Sequence, residues 1–192
     1  MNSAFNGDRF ICNTFINLKN AFNIDTIVET GTYHGDTTAY LAQNFKNVYS
    51  IEVQKENYDI SLNKLKSQNL QAKLFLGKSE EILKNVIIEN NISSNSIFYL
   101  DAHWYECPLQ KELEIIADCK IKPIIAIHDF VVPDSQTLGF DSYNDQPFTF
   151  EWLKYNFDKI YNCKYYYWYN NDFFSEGAKR GIIYLAPNNY GM

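Results

Sequence analysis

Apolar residues recur at helical spacing over residues 9–22, at Phe10, Ile11, Phe15, Leu18 and Phe22, which predicts an amphipathic helix laid over a sheet. Ile24–Glu29 then reads as a buried strand, and residues 35–45 as a helix with the polar cluster Asp36-Thr37-Thr38 at its start. A strand at Val48–Val53 follows, then a helix over 55–67 whose apolar positions are Tyr58, Leu62 and Leu65. A short strand at Lys73–Leu76 ends at Gly77, and the Ser79 hydroxyl predicts the N-cap of a helix over 80–90. Next come a strand at Ser96–Leu100 ending at Asp101, a helix over 109–118, and a strand at Pro123–Ile127 ending at His128-Asp129. A loop with Pro133, Gly139 and Pro147 leads to a helix over 148–159. Lys164–Tyr169 and Gly181–Leu185, separated by the polar loop 170–180, read as a terminal antiparallel hairpin.

Strands alternating with helices predict a doubly wound, mostly parallel α/β sheet with right-handed crossovers. There is no internal repeat and no domain boundary, so one domain is expected over 1–192: a lid helix in 1–22, a core over 23–186 and a tail over 187–192. Ligands of such sheets bind outside the carboxyl ends of the strands. Those ends carry Glu29 and Gly31, Glu52, Gly77, Asp101 and His103, and His128 with Asp129.

Composition narrows the chemistry. The 192 residues include 46% hydrophobic and 21% charged positions, ordinary for a globular protein. The net charge of −6, with no Lys/Arg cluster, argues against a nucleic-acid partner. Cys12, Cys107, Cys119 and Cys163 lack CxxC spacing, which suits free thiols in a reducing compartment. No apolar signal region and no bilayer-spanning window is present, so a soluble, cytoplasmic protein without a membrane partner is expected.

One segment points to a nucleoside-type cofactor. The strand Ile27-Val28-Glu29-Thr30 runs into Gly31-Thr32-Tyr33-His34-Gly35, a turn that opens a helix. Glycines at 31 and 35 would let backbone approach a ligand, since neither has a Cβ; they equally suit a tight turn. Glu52 lies 21 residues after Gly31, where a carboxylate accepts hydrogen bonds from both ribose hydroxyls.

With its predicted terminal hairpin, the order of elements over roughly residues 20–186 resembles the class I S-adenosylmethionine (SAM)-dependent methyltransferases, whose Rossmann-like sheet has seven strands. Glu29-Thr30-Gly31-Thr32-Tyr33-His34-Gly35 resembles their first motif, with its middle glycine replaced, and Gly77-Lys78-Ser79-Glu80 resembles their adenine loop. The resemblance implies cofactor contacts from Glu29, Gly31, Thr32, Tyr33, Gly35, Thr37, Glu52, Gly77, Lys78, Ser79 and Asp101. Further along, Tyr99-Leu100-Asp101-Ala102-His103-Trp104-Tyr105-Glu106 and Ile127-His128-Asp129-Phe130 resemble the macrocin-type metal-dependent O-methyltransferases, which act on hydroxyls of sugars and natural products. That implies a divalent metal (Mg, Mn or Fe) on Asp101, His128 and Asp129, with His103 as general base. His128 and His103 both stand where the family has acids, and histidine is competent in either role. Imidazole in place of an oxygen ligand tilts the expectation toward Mn or Fe.

The expected function is therefore metal-assisted O-methylation of a small sugar-like or phenolic acceptor. Alternatives remain: a metal-independent methyltransferase using His103 or His128 as base, a nicotinamide-dependent oxidoreductase, a metal hydrolase built on Asp101, His103, His128 and Asp129, or a non-catalytic binder of a nucleoside cofactor. Asp101 also suits a simple strand-end cap, and Trp104 and Tyr105 an active-site floor. Phe148, Phe150, Trp152 and half of the run Tyr165–Tyr169 are expected to line an acceptor pocket, and Lys179 and Arg180 to form a solvated pair rather than bind an anionic substrate group. The aromatic surface permits a homodimer.

Overall fold

The computed structural model describes residues 4–103 and 106–188; the expectations for Trp104, Tyr105 and the tail past residue 188 lie outside the described residues. The strands are β1 (Thr26–Thr30), β2 (Asn47–Glu52), β3 (Lys73–Leu76), β4 (Ile97–Leu100), β5 (Ile124–His128), β6 (Ser142–Tyr143), β7 (Gln146–Pro147), β8 (Tyr165–Tyr169) and β9 (Ile182–Pro187). The helices are α1 (Arg9–Phe22), α2 (Asp36–Asn44), α3 (Lys55–Ser67), α4 (Ser79–Glu89), α5 (Leu109–Asp118) and α6 (Phe150–Tyr161). One seven-stranded sheet runs in the order β3-β2-β1-β4-β5-β9-β8. β1 to β5 are mutually parallel, and β9 joins β5 and β8 antiparallel. The predicted doubly wound sheet with its terminal hairpin is thus the observed one. The loop expected over 130–150 also contains the small β6–β7 hairpin.

Both faces of the sheet are covered, which explains why β4 and β5 are buried at every position. Val28, Phe98, Leu100, Ile125 and Ile127 pack with α4, α5 and α6 through Leu83, Leu113, Ile116, Leu153 and Phe157. Ile27, Ile97, Tyr99, Ile124 and Ala126 pack with α1 and α2 through Ile11, Phe15, Leu18 and Leu41. Among the described residues, no helix is long and apolar enough to cross a membrane.

Caps set several helix ends. Asp8 accepts from Phe10 N at 2.8 Å and Ile11 N at 3.1 Å to start α1, and left-handed Asn23 ends it. Thr149 caps α6 by accepting from Trp152 N, which delays that helix past the predicted start at 148. Ser79 is not the N-cap of α4: Lys78 holds that position without a side-chain cap bond, and Ser79 is a buried first-turn residue.

Before α1, Phe5 and Asn6 are left-handed and lead into Gly7. Phe5 is buried, stacked on Phe15 and edge-on to Tyr99, and its N–H donates to Thr37 Oγ1 at 3.0 Å. Ala178 N donates to the Asn6 carbonyl and Glu176 N to Asp8 Oδ2. The start of the described chain is therefore tied to the loop between β8 and β9.

Candidate functional site

Side-chain parity builds the site. Residues 27 and 29, 97, 99 and 101, and 124, 126 and 128 share the α1 face, because side chains alternate along a strand. The register Leu100↔Ile127 then sets Asp101, just past β4, beside His128, the last residue of β5. Asp129 would point the other way in an extended strand. Its φ of +57° breaks the strand and turns its carboxylate back toward the same point.

Four ligand atoms, one each from Asp101, His103, His128 and Asp129, lie within 4.8 Å of one another. His128 Nδ1 is 3.1 Å from Asp101 Oδ1 and 3.1 Å from Asp129 Oδ2. Neither oxygen lies along the ring N–H direction, so both nitrogens of this buried imidazole lack a hydrogen-bond partner among the described residues. His103 Nε2 is hydrogen-bonded to Asp129 Oδ2 at 3.1 Å and sits 3.7 Å from Asp101 Oδ1. His103, expected as a base beside a three-residue metal set, places its Nε2 within the same cluster.

The electrostatics follow from this crowding. Burial alone would lower the His128 pKa, but Asp101 and Asp129 outweigh it and raise it to about 10. Burial pushes Asp129 up, yet the hydrogen bond to His103 and the charges of His103 and His128 hold it far below the carboxylate range.

Each carboxylate of the cluster has one oxygen engaged from behind. Tyr99 donates its hydroxyl to Asp101 Oδ2 at 3.0 Å. Arg180 Nε donates to Asp129 Oδ1, and its Nη2 to Asp141. Asn170, buried, donates to the Arg180 carbonyl at 2.8 Å and accepts from Ile182 N at 2.7 Å, fixing the start of β9. Arg180 is therefore not the solvated residue expected; it is bound to the site. Sequence reasoning also missed Tyr99, although it lies two residues before Asp101 on the same face. No local signal marks Asp141 or Asn170.

The cofactor-type residues separate into two layers. Glu52 stands at the tip of β2, buried, accepting from Tyr33 N at 2.7 Å and Gln54 N at 2.8 Å. Tyr33 is exposed and stacked on His34. Gly77 follows β3, and Lys78 makes an exposed ion pair with Glu106. Glu29 lies beneath, fully buried, accepting from Thr38 Oγ1 at 2.5 Å and Ser50 Oγ at 2.6 Å. Burial raises its carboxyl to about 8 against those two hydrogen bonds. Thr32 bonds Ser50 at 2.5 Å, and Thr37 holds the Phe5 amide. Glu29, Thr32 and Thr37, expected as cofactor contacts, make hydrogen bonds within the fold beneath the glycine turn.

The two glycines have a requirement within the fold itself. Gly31 has φ +87°, and a Cβ there would run into the Asp101 carbonyl. Gly35 has φ +76°, and its Cβ would come 2.7 Å from Ser61 Cβ on α3. Close approach is needed, but to this chain's own backbone and helix.

The expected aromatic acceptor pocket divides. Phe148 is core, edge-on beneath His103 and stacked on Trp152. Phe150 stacks on Tyr167 at 4.3 Å in a groove of about 670 Å³ along β8 and α6, none of whose lining residues belongs to the cluster.

No protein-family model matches this sequence, and no curated protein matches it. Solved structures do match. The chain is similar to an O-methyltransferase from Bacillus cereus in complex with SAH, at 16% identity over 93% of this chain and 81% of that one, with a TM-score of 0.63. It is similar to the O-methyltransferase TomG from Streptomyces achromogenes in complex with SAM, at 13% identity over 92% of this chain and 79% of that one, TM-score 0.63. It is also similar to precorrin 8w decarboxylase from Methanobacterium thermoautotrophicum, at 17% identity over 93% of this chain and 89% of that one, TM-score 0.57. The fold is that of the class I, Rossmann-like methyltransferases.

Proposed function

We propose that this chain is a SAM-dependent O-methyltransferase that acts, with a divalent metal ion, on a hydroxyl of a small sugar-like or phenolic acceptor. One observation carries this: the layout of the sheet's carboxyl edge. The glycine turn and the Glu52 carboxylate lie at the tips of β1 and β2, and the Asp/His cluster at the tips of β4 and β5, the strands next in order. Ligands of open α/β sheets bind where the strand order reverses, here between β1 and β4. The fold shared with SAM- and SAH-bound O-methyltransferases supports the same cofactor class.

The donor set of Asp101, His128 and Asp129 fits a divalent ion, because two carboxylates converge on a buried imidazole nitrogen that has no hydrogen-bond partner. When bound, the cofactor supplies an activated methyl group and the ion supplies Lewis acidity toward an acceptor hydroxyl.

The chain's own residues supply placement. Glu52 receives the ribose hydroxyls, as Tyr33 N and Gln54 N hold its carboxylate in one orientation. Asp101 belongs to both halves. Its carbonyl packs against Gly31 in the cofactor turn, and its Oδ1 faces the cluster, which keeps the two reacting partners at a fixed separation. Its side chain is 25% exposed, against 3% for His103, 2% for His128 and 12% for Asp129. An acceptor therefore meets the cluster on the Asp101 side, and the proton of its hydroxyl leaves to solvent on that exposed side as the methyl group passes from the sulfonium sulfur to oxygen.

The test is calorimetric titration of metal-free protein with S-adenosylhomocysteine, with NAD as control. Micromolar binding, about −8 kcal/mol, with none to NAD, is expected. NAD binding without S-adenosylhomocysteine binding would overturn the proposal.

A further inference from the structure

We propose that His103 completes a four-ligand, two-nitrogen and two-oxygen centre with Asp101, His128 and Asp129. This centre selects a first-row transition dication over magnesium or calcium. The inference deepens the metal-assisted reading above and rests on its metal component alone.

Ligand count follows from the donors around each carboxylate. Asp101 Oδ2 is taken by the Tyr99 hydroxyl and Asp129 Oδ1 by Arg180. One oxygen of each acid is left for the cluster, so neither can chelate through both. The remaining donors are His128 Nδ1 and His103 Nε2. Bonds of about 2.0–2.2 Å to a common ion put donors at most about 4.4 Å apart. The observed spread of 4.8 Å closes to that with shifts of a few tenths of an ångström.

His128 supplies the independent sign that something belongs at the centre. Its ring is 2% exposed, and its Nδ1 has two carboxylate oxygens at 3.1 Å without aiming at either. A buried nitrogen without a hydrogen bond carries an uncompensated desolvation penalty. A cation between the three groups removes that cost and the repulsion between the two acids together. Paired hydrogen bonds, the alternative use of such groups, would have aligned the ring with one oxygen.

Donor chemistry then chooses the ion. Calcium takes six to eight oxygens, and magnesium demands near-octahedral oxygen and keeps several waters. Two imidazoles with two single carboxylate oxygens offer neither. They suit Mn, Fe, Co or Zn, for which imidazole is a good ligand. Arg180 reinforces this: as a donor on the far oxygen of Asp129 it fixes the orientation of that ligand, as outer-shell partners do in metal centres.

The experiment titrates chelator-treated protein with Mn²⁺, Co²⁺, Mg²⁺ and Ca²⁺ by calorimetry. Co²⁺ is also followed by its visible absorption and Mn²⁺ by electron paramagnetic resonance. Mn²⁺ and Co²⁺ are expected to bind at least about 100-fold more tightly than Mg²⁺ or Ca²⁺. His103→Asp should weaken Co²⁺ binding at least about tenfold, change the Co²⁺ spectrum and narrow the gap to Mg²⁺. His103→Gln provides a second variant if His103→Asp fails to fold, checked by circular dichroism. Equal affinity for Mg²⁺ and Mn²⁺, or metal affinities unmoved by either variant, would overturn the inference. So would the absence of any ion binding. S-adenosylhomocysteine titration of the same samples separates the two proposals: its loss with ion binding intact would sink the methyltransferase reading and leave the centre standing.

Discussion

Tyr99 and Asp101 are joined by a 3.0 Å hydrogen bond between side chains two residues apart on one strand face. The phenol comes from the core, edge-on to the stacked pair Phe5 and Phe15, so a core side chain anchors a carboxylate of the candidate centre. Tyr99→Phe keeps that packing and deletes only the donor. Metal affinity should fall about tenfold, while S-adenosylhomocysteine affinity stays within about twofold, both read by calorimetry. An unchanged metal affinity would mean that Asp101 needs no such support.

Asp101 and Glu52 should divide the labour of the site. Asp101→Asn is expected to abolish metal-stimulated methyl transfer and leave cofactor affinity nearly unchanged. Glu52→Ala should weaken S-adenosylhomocysteine binding by about 2 kcal/mol, the cost of lost charge-assisted hydrogen bonds, and spare metal affinity. Loss of cofactor affinity in both variants would refute this division.

Gly35→Ala should destabilise the fold by about 2–4 kcal/mol. The left-handed backbone costs about 1–2 kcal/mol, and the new methyl overlaps Ser61, whose Cβ is 2.7 Å away. Adding Ser61→Gly should recover part of the steric share and none of the backbone share. Denaturant melts of the single and double variants measure both, and full recovery would show that the backbone conformation is not strained.

Two buried acids set a pH dependence. Burial raises Glu29 to about 8 and Glu112 to about 7. Between the unfolded value near 4.5 and those values the folded state binds more protons than the unfolded one. Their contribution to stability is therefore complete at low pH and declines as pH rises through that window. Glu29→Gln should flatten the decline and gain about 1–2 kcal/mol at pH 8.5, measured by urea unfolding across pH 5–9. A parallel decline in both proteins would show that Glu29 ionises freely in the fold.

Periodicity and strand ends made much of this legible. The predicted bounds of α3 (55–67) and β3 (73–76) are those observed, because both are bounded by polar or glycine residues. The convergence of Asp101 and His128 also followed from where strands end, since parallel neighbours bring their tips together. What escaped was set by distant partners. Arg180 meets Asp129 across 51 residues, and nothing local distinguishes it from the solvated cation that adjacent Lys179 suggested. Gly35 owes its identity to Ser61, and Glu29 its withdrawal to Thr38 and Ser50. A strand-end acid carries no mark of whether it faces a ligand or a hydroxyl pair. Asp129 needed its left-handed turn, which a sequence of alternating faces does not announce.

The placement of β9 has a consequence for the chain as it is made. β5 lies beside β9 in the sheet, yet more than fifty residues of synthesis separate them. Until residue 182 leaves the ribosome, one side of β5 is an open edge at the very strand that carries His128, and Arg180 has not arrived to hold Asp129. An open apolar edge invites pairing with other chains. Vectorial synthesis thus makes the Asp/His half of the site the last part of the sheet to close.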